Sequence, residues 1–526
     1  MQIYASVIFL LLIIFITENT NLNPLMENKL SFLLLSIPIC SNIFPAISFG
    51  QPQSPNIVVF LVDDMGWQDT SVPFWTQRTH LNNTYETPNM ERLANRGVKF
   101  TQAYAYPVSS PSRVSLMTGA NVAQHQVSNW TLYKDQPTDR ESGVLNFGKW
   151  NYNGLSQEQG DPNAFYSKTL PTILRENGYY TALVGKAHLG AIDTPAANPL
   201  NVGFDVNVGG HAAGAMGSYL GERNYGNQET RGWTQPWGVP TLEAYHGSDI
   251  FLTEALTIES NRFIQKAVAD QKPFFLYLSH YAVHAPFNAD KRFYQKYKKK
   301  GLSDTEAQYA SLIEGMDKSL GDVMNCLEQE GVAQNTVIIF MSDNGGYSVG
   351  RGGEAMQRNY PLRGGKGACY EGGIREPMLV SWPGIAPEGT TNETPVIIED
   401  FFPSILEIAG IKKYDTPQRI DGKSFVKALR KNKTIHPDRS LIFHYPNNWG
   451  ERYEDVGLPQ SAIRKGDWKL IYSYETETTQ LFNLREDISE KQDLSADPRY
   501  QKISEKLSKE LFGYLDKNNT NMPIRK

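Results

Sequence analysis

The sequence predicts an α/β protein with a large, mostly parallel sheet between helices and a small α+β subdomain at its C-terminal end. Three observations predict it. Short apolar runs rich in β-branched residues alternate with helical stretches. These runs are continuously apolar, as strands covered on both faces are, and polar clusters close them. In chain order, strands are expected at 56–62, 181–184, 274–278 and 336–341, and helices at 88–96, 171–176, 253–269 and 304–330. The Gly-, Pro- and Asn-rich stretches 143–163 and 203–238 read as surface loops that carry function. At Arg430-Lys431-Asn432-Lys433 the chain turns basic and polar, which divides 51–432 from 433–526. Beyond that boundary, alternating segments at 467–474 and 480–484 and a helical run over 498–515 make up the subdomain.

The 526 residues are 40% apolar and 20% charged, which excludes a disordered chain. Lys and Arg number 51 and Asp and Glu 56, for a net charge of −5. No basic surplus points to nucleic acid. Cys40, Cys326 and Cys369 are too few for a disulfide framework or a cysteine zinc site, and the last two are expected to be unpaired. Residues 1–50 hold two apolar runs, each shorter than the roughly 18 residues of a membrane span. The second follows Met26-Glu27-Asn28-Lys29 and leads to Ala46-Ile47-Ser48 and Ser48-Phe49-Gly50, small-residue patterns that a signal peptidase reads. Residues 1–50 are therefore expected to be a leader, with translation starting at Met26 as one reading. The mature chain is expected to lack a membrane span and to be exported, to the periplasm or beyond it.

Two acidic pairs stand at strand ends. Asp63-Asp64 follows the first strand, and Asp343-Asn344 follows the fourth and precedes Gly345-Gly346. Carboxyl ends of parallel strands are where ligands bind in open α/β sheets. Adjacent strand residues point to opposite faces, so the chain must leave strand geometry for both members of a pair to face one ion; the two glycines allow that. Three carboxylates and an amide oxygen favour Ca²⁺ or Mg²⁺ over zinc. Either pair alone is also ordinary turn chemistry.

Ser109-Ser110-Pro111-Ser112-Arg113 reads as a helix start, whose free N–H groups and positive dipole end suit an anionic substrate. Arg113 opposes that dipole and needs an anion or carboxylate partner. Lys186 and His188 follow the second strand, His284 follows the third, and Lys366 lies in a glycine-rich loop. Singly, such residues are usually solvated or structural. Together they would surround an anion beside a cation, a site for cleaving a sulfate or phosphate ester.

At these residues the sequence resembles a type I sulfatase of the alkaline phosphatase superfamily. Ser109 to Gly119 matches throughout the family's first signature: Cys or Ser, any residue, Pro-Ser-Arg, three residues, Leu or Met, Thr, Gly. Gly178-Tyr179-Tyr180-Thr181 through Gly185-Lys186-Ala187-His188 departs from the second only in the placement of the histidine. Further matches are Asp63-Asp64-Met65-Gly66, Asp343-Asn344-Gly345, Arg363-Gly364-Gly365-Lys366 and Glu371 to Pro377. Lys465 to Leu470 and Leu481 to Leu484 resemble the family's C-terminal subdomain. The likeness spans roughly residues 54–515.

The resemblance implies an alkaline-phosphatase-like fold and an exported sulfatase acting on a sulfated glycan. It implies that Ser109 is oxidised to formylglycine, by an oxygen-independent maturase since the position is serine rather than cysteine. One hydroxyl of the hydrated aldehyde would attack sulfur; the other would expel sulfate. Calcium would be held by Asp63, Asp64, Asp343, Asn344 and the modified Ser109. Arg113 and His188 would orient and deprotonate the hydrate. Lys186, His284 and Lys366 would hold the sulfate, with His284, alone or together with Lys366 or Lys186, serving the leaving oxygen. A phosphate-ester or phosphonate hydrolase of the same superfamily is the alternative, and would need further His or Asp ligands for a second metal. A silent glycan-binding relative would have lost metal or nucleophile positions, and none is lost. Selection of the sugar is expected from loops at the rim: His211 in Gly209-Gly210-His211-Ala212-Ala213-Gly214, and Arg351 and Arg358 in the segment 347–360.

Overall fold

A computed structural model describes residues 54–227, 236–348, 357–450, 453 and 455–526. The expected leader, Cys40 and Arg351 lie outside the described residues.

The central sheet has nine strands. They are β1 (Asn56–Val62), β2 (Val98–Tyr104), β3 (Tyr180–Gly185), β4 (Val206–Val208), β5 (Phe274–Ser279), β6 (Thr336–Ser342), β7 (Arg375–Ser381), β8 (Thr390–Asn392) and β9 (Val396–Ile397). Their order is β8-β2-β7-β6-β1-β5-β3-β4, with β9 also pairing β2. β7 is antiparallel to both β2 and β6, and all other pairs are parallel. The mostly parallel sheet expected from the continuous apolar runs is therefore present.

Strand β1 shows why those runs are unbroken. Ile57, Val59 and Leu61 enter one core, and Val58, Phe60 and Val62 enter the other. The first core takes helices α2 (Ser109–Thr118), α3 (Leu170–Glu176) and α6 (Phe401–Ile408). The second takes α1 (Pro88–Asn95), α4 (Leu252–Ala269) and α5 (Asp304–Gln329). Along α5, buried Tyr309, Leu312, Met316, Leu320, Val323 and Leu327 recur every three or four residues, the stripe that one helix face requires.

A separate four-stranded antiparallel sheet forms near the C-terminus from β10 (Ser440–Tyr445), β11 (Gln460–Lys465), β12 (Trp468–Ser473) and β13 (Thr478–Asn483), in that order. Helix α7 (Gln501–Lys517) covers one face, with Leu507, Leu511 and Leu515 against Ile442, Ile463, Leu470 and Leu481. The other face, including Phe443, Ala462, Ile471 and Phe482, joins the core that holds α2. Cys326 and Cys369 are buried and unpaired. Among the described residues no helix is long and apolar enough to cross a membrane.

Candidate active site

Strand register collects the first groups. Val62 pairs with Ser342, Leu61 with Ser279, and Gly185 with Ser279. Asp63, Asp343 and Lys186 are the next residues of β1, β6 and β3, so they leave the sheet side by side at its carboxyl edge. Asp64 adopts a left-handed conformation with φ of 61°, which lets both members of the first pair face one point. Gly345 serves close approach, without a positive φ: a Cβ there would stand 1.9 Å from Gly372 O. That contact brings the Lys366 loop against the turn, where Lys366 N donates to Gly346 O at 3.2 Å.

Helix α2 brings the fourth element. Its N-cap is Val108, and Ser109 is the first helical residue, so the Ser109 hydroxyl is not consumed in capping. Ser109 Oγ lies 3.2 Å from Asp63 Oδ1 and 3.2 Å from Asn344 Oδ1, both acceptors, and accepts from Lys186 Nζ at 2.9 Å. Arg113, one turn on, has the carboxylate partner its position demands: Nε donates to Asp343 Oδ2 at 2.9 Å, and Nη2 stands 2.7 Å from the same oxygen.

Three buried carboxylates thus meet three buried cations. Lys186 Nζ donates to both Asp63 oxygens at 2.8 and 2.7 Å, and Lys366 Nζ donates to Asp64 Oδ2 at 2.9 Å. Asn344 Nδ2 donates to Asp64 Oδ1 at 2.8 Å, which turns its amide oxygen toward Ser109. Burial pushes the Asp63 carboxyl up and the Lys186 ammonium down, each opposed by the other's charge. Burial also acts on Asp64 and Asp343, but Lys366 holds the first below the usual carboxylate range and Arg113 the second.

One carboxylate oxygen from each of Asp63, Asp64 and Asp343 lies within 4.8 Å of the other two. Oxygen ligands of calcium sit about 2.3–2.6 Å from the ion, so carboxylates this close can share one. With the Asn344 and Ser109 oxygens the donor set is oxygen throughout, which fits a hard cation.

Two histidines complete the floor. His188 Nε2 lies 3.0 Å from Thr131 O, so that nitrogen carries the proton and Nδ1 keeps its lone pair; burial holds the ring neutral. His284 Nδ1 lies 2.5 Å from Ala285 O, which leaves Nε2 as the open nitrogen, 3.7 Å from Asp64 Oδ2. Burial, with Lys366 adding to it, holds His284 down to about 3.

All of this opens into a cleft of about 850 Å³, lined by Ser109, Lys186, His188, His284 and Lys366 and walled by Trp130, Trp237, Trp449 and Arg223. The structure therefore brings together every expected catalytic and metal residue. It does not do so for the rim residues. Arg358 is 1% exposed, with its guanidinium 3.3 Å from the Tyr309 ring centroid, 5.2 Å from that of Phe287 and facing Glu306; it packs against α5 and does not line the cleft. His211 does not line the cleft either: its carbonyl accepts from His188 N at 3.2 Å, and its ring packs near Tyr281. The tryptophans and Arg223 carry no spacing signal; the Gly-rich stretch 203–238 pointed only to the neighbourhood of Arg223 and Trp237.

A family model described as Sulfatase matches residues 55–411, and one described as N-sulphoglucosamine sulphohydrolase, C-terminal, matches 365–517. A relative from Formosa agariphila named Sulfatase is 31% identical over 517 residues, spanning 89% of this chain and 90% of its own. The N-acetylgalactosamine-6-sulfatase of Mus musculus is 32% identical over 411 residues, 76% of this chain and 71% of its own. Among solved structures, Ps i-CgsB in complex with k-i-k-neocarrahexaose aligns with a TM-score of 0.69 at 28% identity, over 88% of this chain and 93% of that one.

Proposed function

Because the chain belongs to the sulfatase family and is a sulfuric ester hydrolase, we propose that it is exported and removes sulfate from a sulfated carbohydrate. In this reading Ser109 is converted to formylglycine by an oxygen-independent maturase, and calcium is held by Asp63, Asp64, Asp343, Asn344 and position 109. The observation that carries it is the balance around Ser109: three buried carboxylates face Arg113, Lys186 and Lys366 at the floor of one cleft. Protein charges alone nearly cancel there, so a bound divalent cation leaves the floor positive and suited to an oxyanion. The relative named N-acetylgalactosamine-6-sulfatase and the structure solved with k-i-k-neocarrahexaose support a carbohydrate.

Calcium would supply Lewis-acid polarisation at position 109 and charge for the sulfate oxygens. Formylglycine would supply a hydrated aldehyde, whose two hydroxyls separate attack on sulfur from release of sulfate. The remaining work falls to side chains. Arg113 fixes the Asp343 carboxylate. His188, with its proton committed to Thr131, accepts a proton at Nδ1. Lys186 and Lys366 exchange part of their carboxylate pairing for sulfate oxygens. His284 must carry a proton at Nε2 to serve the leaving oxygen; the charge of a bound sulfate ester offsets Lys366 and raises its affinity for that proton.

Among the described residues Asp63, Asp64 and Asp343 are the one acidic cluster of metal-site spacing. Lys186 and Lys366 stand beside it, where a two-metal phosphate-ester hydrolase needs further ligands. This supports the sulfate reading. The test is the mass of the peptide containing Ser109, from protein made in a host with the maturase, together with sulfate release from sulfated sugars. Loss of two hydrogens with sulfate release supports the proposal. Intact serine with phosphate-ester hydrolysis overturns it.

A further inference from the structure

We infer that the cleft holds a second oxyanion subsite at Arg223, so that the preferred substrate carries another sulfate ester or a carboxylate on a sugar near the one desulfated. This rests on the sulfatase reading above and adds the substrate's charge pattern.

The cations lining the cleft divide into two groups. Lys186 and Lys366 are buried in the reactive cluster, and each is engaged by a carboxylate. Arg223 lines the same cleft, is exposed, and makes no ion pair among the described residues. Arg113, Arg358, Arg363 and Arg375 all face a carboxylate, so Arg223 differs from them. A guanidinium offers five donors in a planar fork that fits carboxylate or sulfate oxygens.

The position is fixed by its backbone. Arg223 N donates to Leu220 O at 3.0 Å, and the next two residues, Asn224 and Tyr225, have φ of 47° and 52°. A left-handed tyrosine persists only where its surroundings dictate it. Here Tyr225 is fully buried, its hydroxyl donates to Ile250 O at 3.0 Å, and Asn224 Oδ1 accepts from Gly247 N at 3.0 Å. Arg223 is thus presented by a rigid turn on the cleft wall.

The cleft has room for what lies between the two anions. Its 850 Å³ is near the top of the range of about 300–1,000 Å³ for small-molecule sites. Trp130, Trp237 and Trp449 are each half-buried on its walls and offer faces to the apolar sides of sugar rings.

The experiment compares wild type with Arg223→Gln and Arg223→Lys in matured enzyme. Substrates are a small aryl sulfate, a monosulfated disaccharide, the same disaccharide with a second sulfate, and its counterpart with a uronate carboxylate. Wild type should prefer one doubly anionic disaccharide by about 10- to 100-fold in kcat/KM, through KM. Which of the two it prefers identifies the second anion. Arg223→Gln should abolish that preference, Arg223→Lys should keep part of it, and salt should narrow it in wild type. Equal losses on all four substrates, or no loss of preference, would overturn the subsite. Equilibrium binding of the same disaccharides to unmatured Ser109 protein reads the subsite without turnover. If sulfate is never released yet Arg223 still discriminates in binding, the catalytic proposal fails and the subsite stands.

Discussion

Lys469 of β12 places its ammonium 3.0 Å from Glu371 Oε1, in the loop that follows Lys366, and none of either side chain is exposed. The same ammonium lies 2.8 Å from Glu490 Oε1, while Glu490 Oε2 accepts from Glu371 N at 2.6 Å. Glu371 also accepts from Tyr104 and Arg375. The small sheet thereby holds the segment that carries Lys366 and packs Gly372 against Gly345. Burial raises Glu371, but Lys469, Arg375 and Arg464 together outweigh it and hold the carboxyl down to about 2.

Replacing Lys469 by Met should leave two carboxylates buried without their shared cation. Stability should fall by about 3–5 kcal/mol in urea unfolding. Adding Glu371→Gln and Glu490→Gln should return much of it, because the uncompensated charge is then gone. A Lys469→Met protein as stable as wild type would show the cluster to be incidental.

Gly214 lies against His188: a Cβ there would stand 2.2 Å from Cε1 and 2.3 Å from Nδ1. Gly214→Ala should displace the imidazole and lower kcat by at least about tenfold, in line with loss of a positioned base. The melting temperature should change little, since the ring can move toward the cleft. Unchanged kcat would remove His188 from proton transfer.

Lys366→Ala and His284→Ala should each lower kcat by about 10²–10³, the usual cost of removing one donor to a developing negative charge. Turnover on an aryl sulfate, which needs little help at the leaving oxygen, should suffer more from Lys366→Ala than from His284→Ala. The reverse order would exchange their roles.

If calcium is the ion of the acidic cluster, as proposed, it should raise the melting temperature of wild type, because the cluster is assembled only in the folded chain. Asp343→Asn keeps the shape but removes one charge and the partner of Arg113. It should weaken calcium binding by at least about 100-fold in calorimetry, and the calcium-induced shift should vanish. An unaltered affinity would place the ion elsewhere.

His444 is fully buried, its ring nitrogens 2.7 Å from Ser461 Oγ and 3.1 Å from Asn521 O, and burial pushes it down to about 4. The unfolded chain takes up a proton near 6.5, the folded chain only near 4. Its stabilising contribution is therefore complete above pH 6.5 and lost as pH falls toward 4, by up to about 1.4 kcal/mol per unit. Buried Glu399 and Asp317, pushed up by burial to about 8 and about 7, act in the opposite direction, losing stability as pH rises. Comparing urea midpoints of His444→Gln and wild type from pH 7.5 to 4.5 cancels those common contributions. The variant should lose less stability on acidification; parallel curves would contradict the assignment.

The sequence carried β1 to the residue because six consecutive apolar positions, Ile57 to Val62, feed both cores. It did not single out β2, Val-Lys-Phe-Thr-Gln-Ala-Tyr, where three polar positions are only partly covered. Nor did it single out β7, which opens on Arg375-Glu376-Pro377; Arg375 hides its charge over the Trp67 ring, 4.4 Å from the centroid. At the site, strand ends and motif spacing located the reacting groups. Their pairing was not legible, since Arg113 and Asp343 are 230 positions apart and only the packing of α2 against the carboxyl edge of the sheet unites them. Arg358 misled because a charge is visible in a sequence while the Tyr309 ring beneath it is not. Arg223 was missed because a lone arginine in a Gly- and Asn-rich loop has no pattern.

All ten residues of α2 are buried, and Ser109 is 2% exposed at the bottom of its cleft. The cleft admits a sugar but not another enzyme's active site. Any protein catalyst that alters position 109 must therefore meet the chain before β1, β6 and α2 close around it. If position 109 is converted and the chain exported as proposed above, maturation and folding are in a race, and export adds a second clock, since passage out of the cytoplasm ends access to a maturase kept there. Slowing the folding of this chain should raise the yield of converted protein, and hastening its export should lower it.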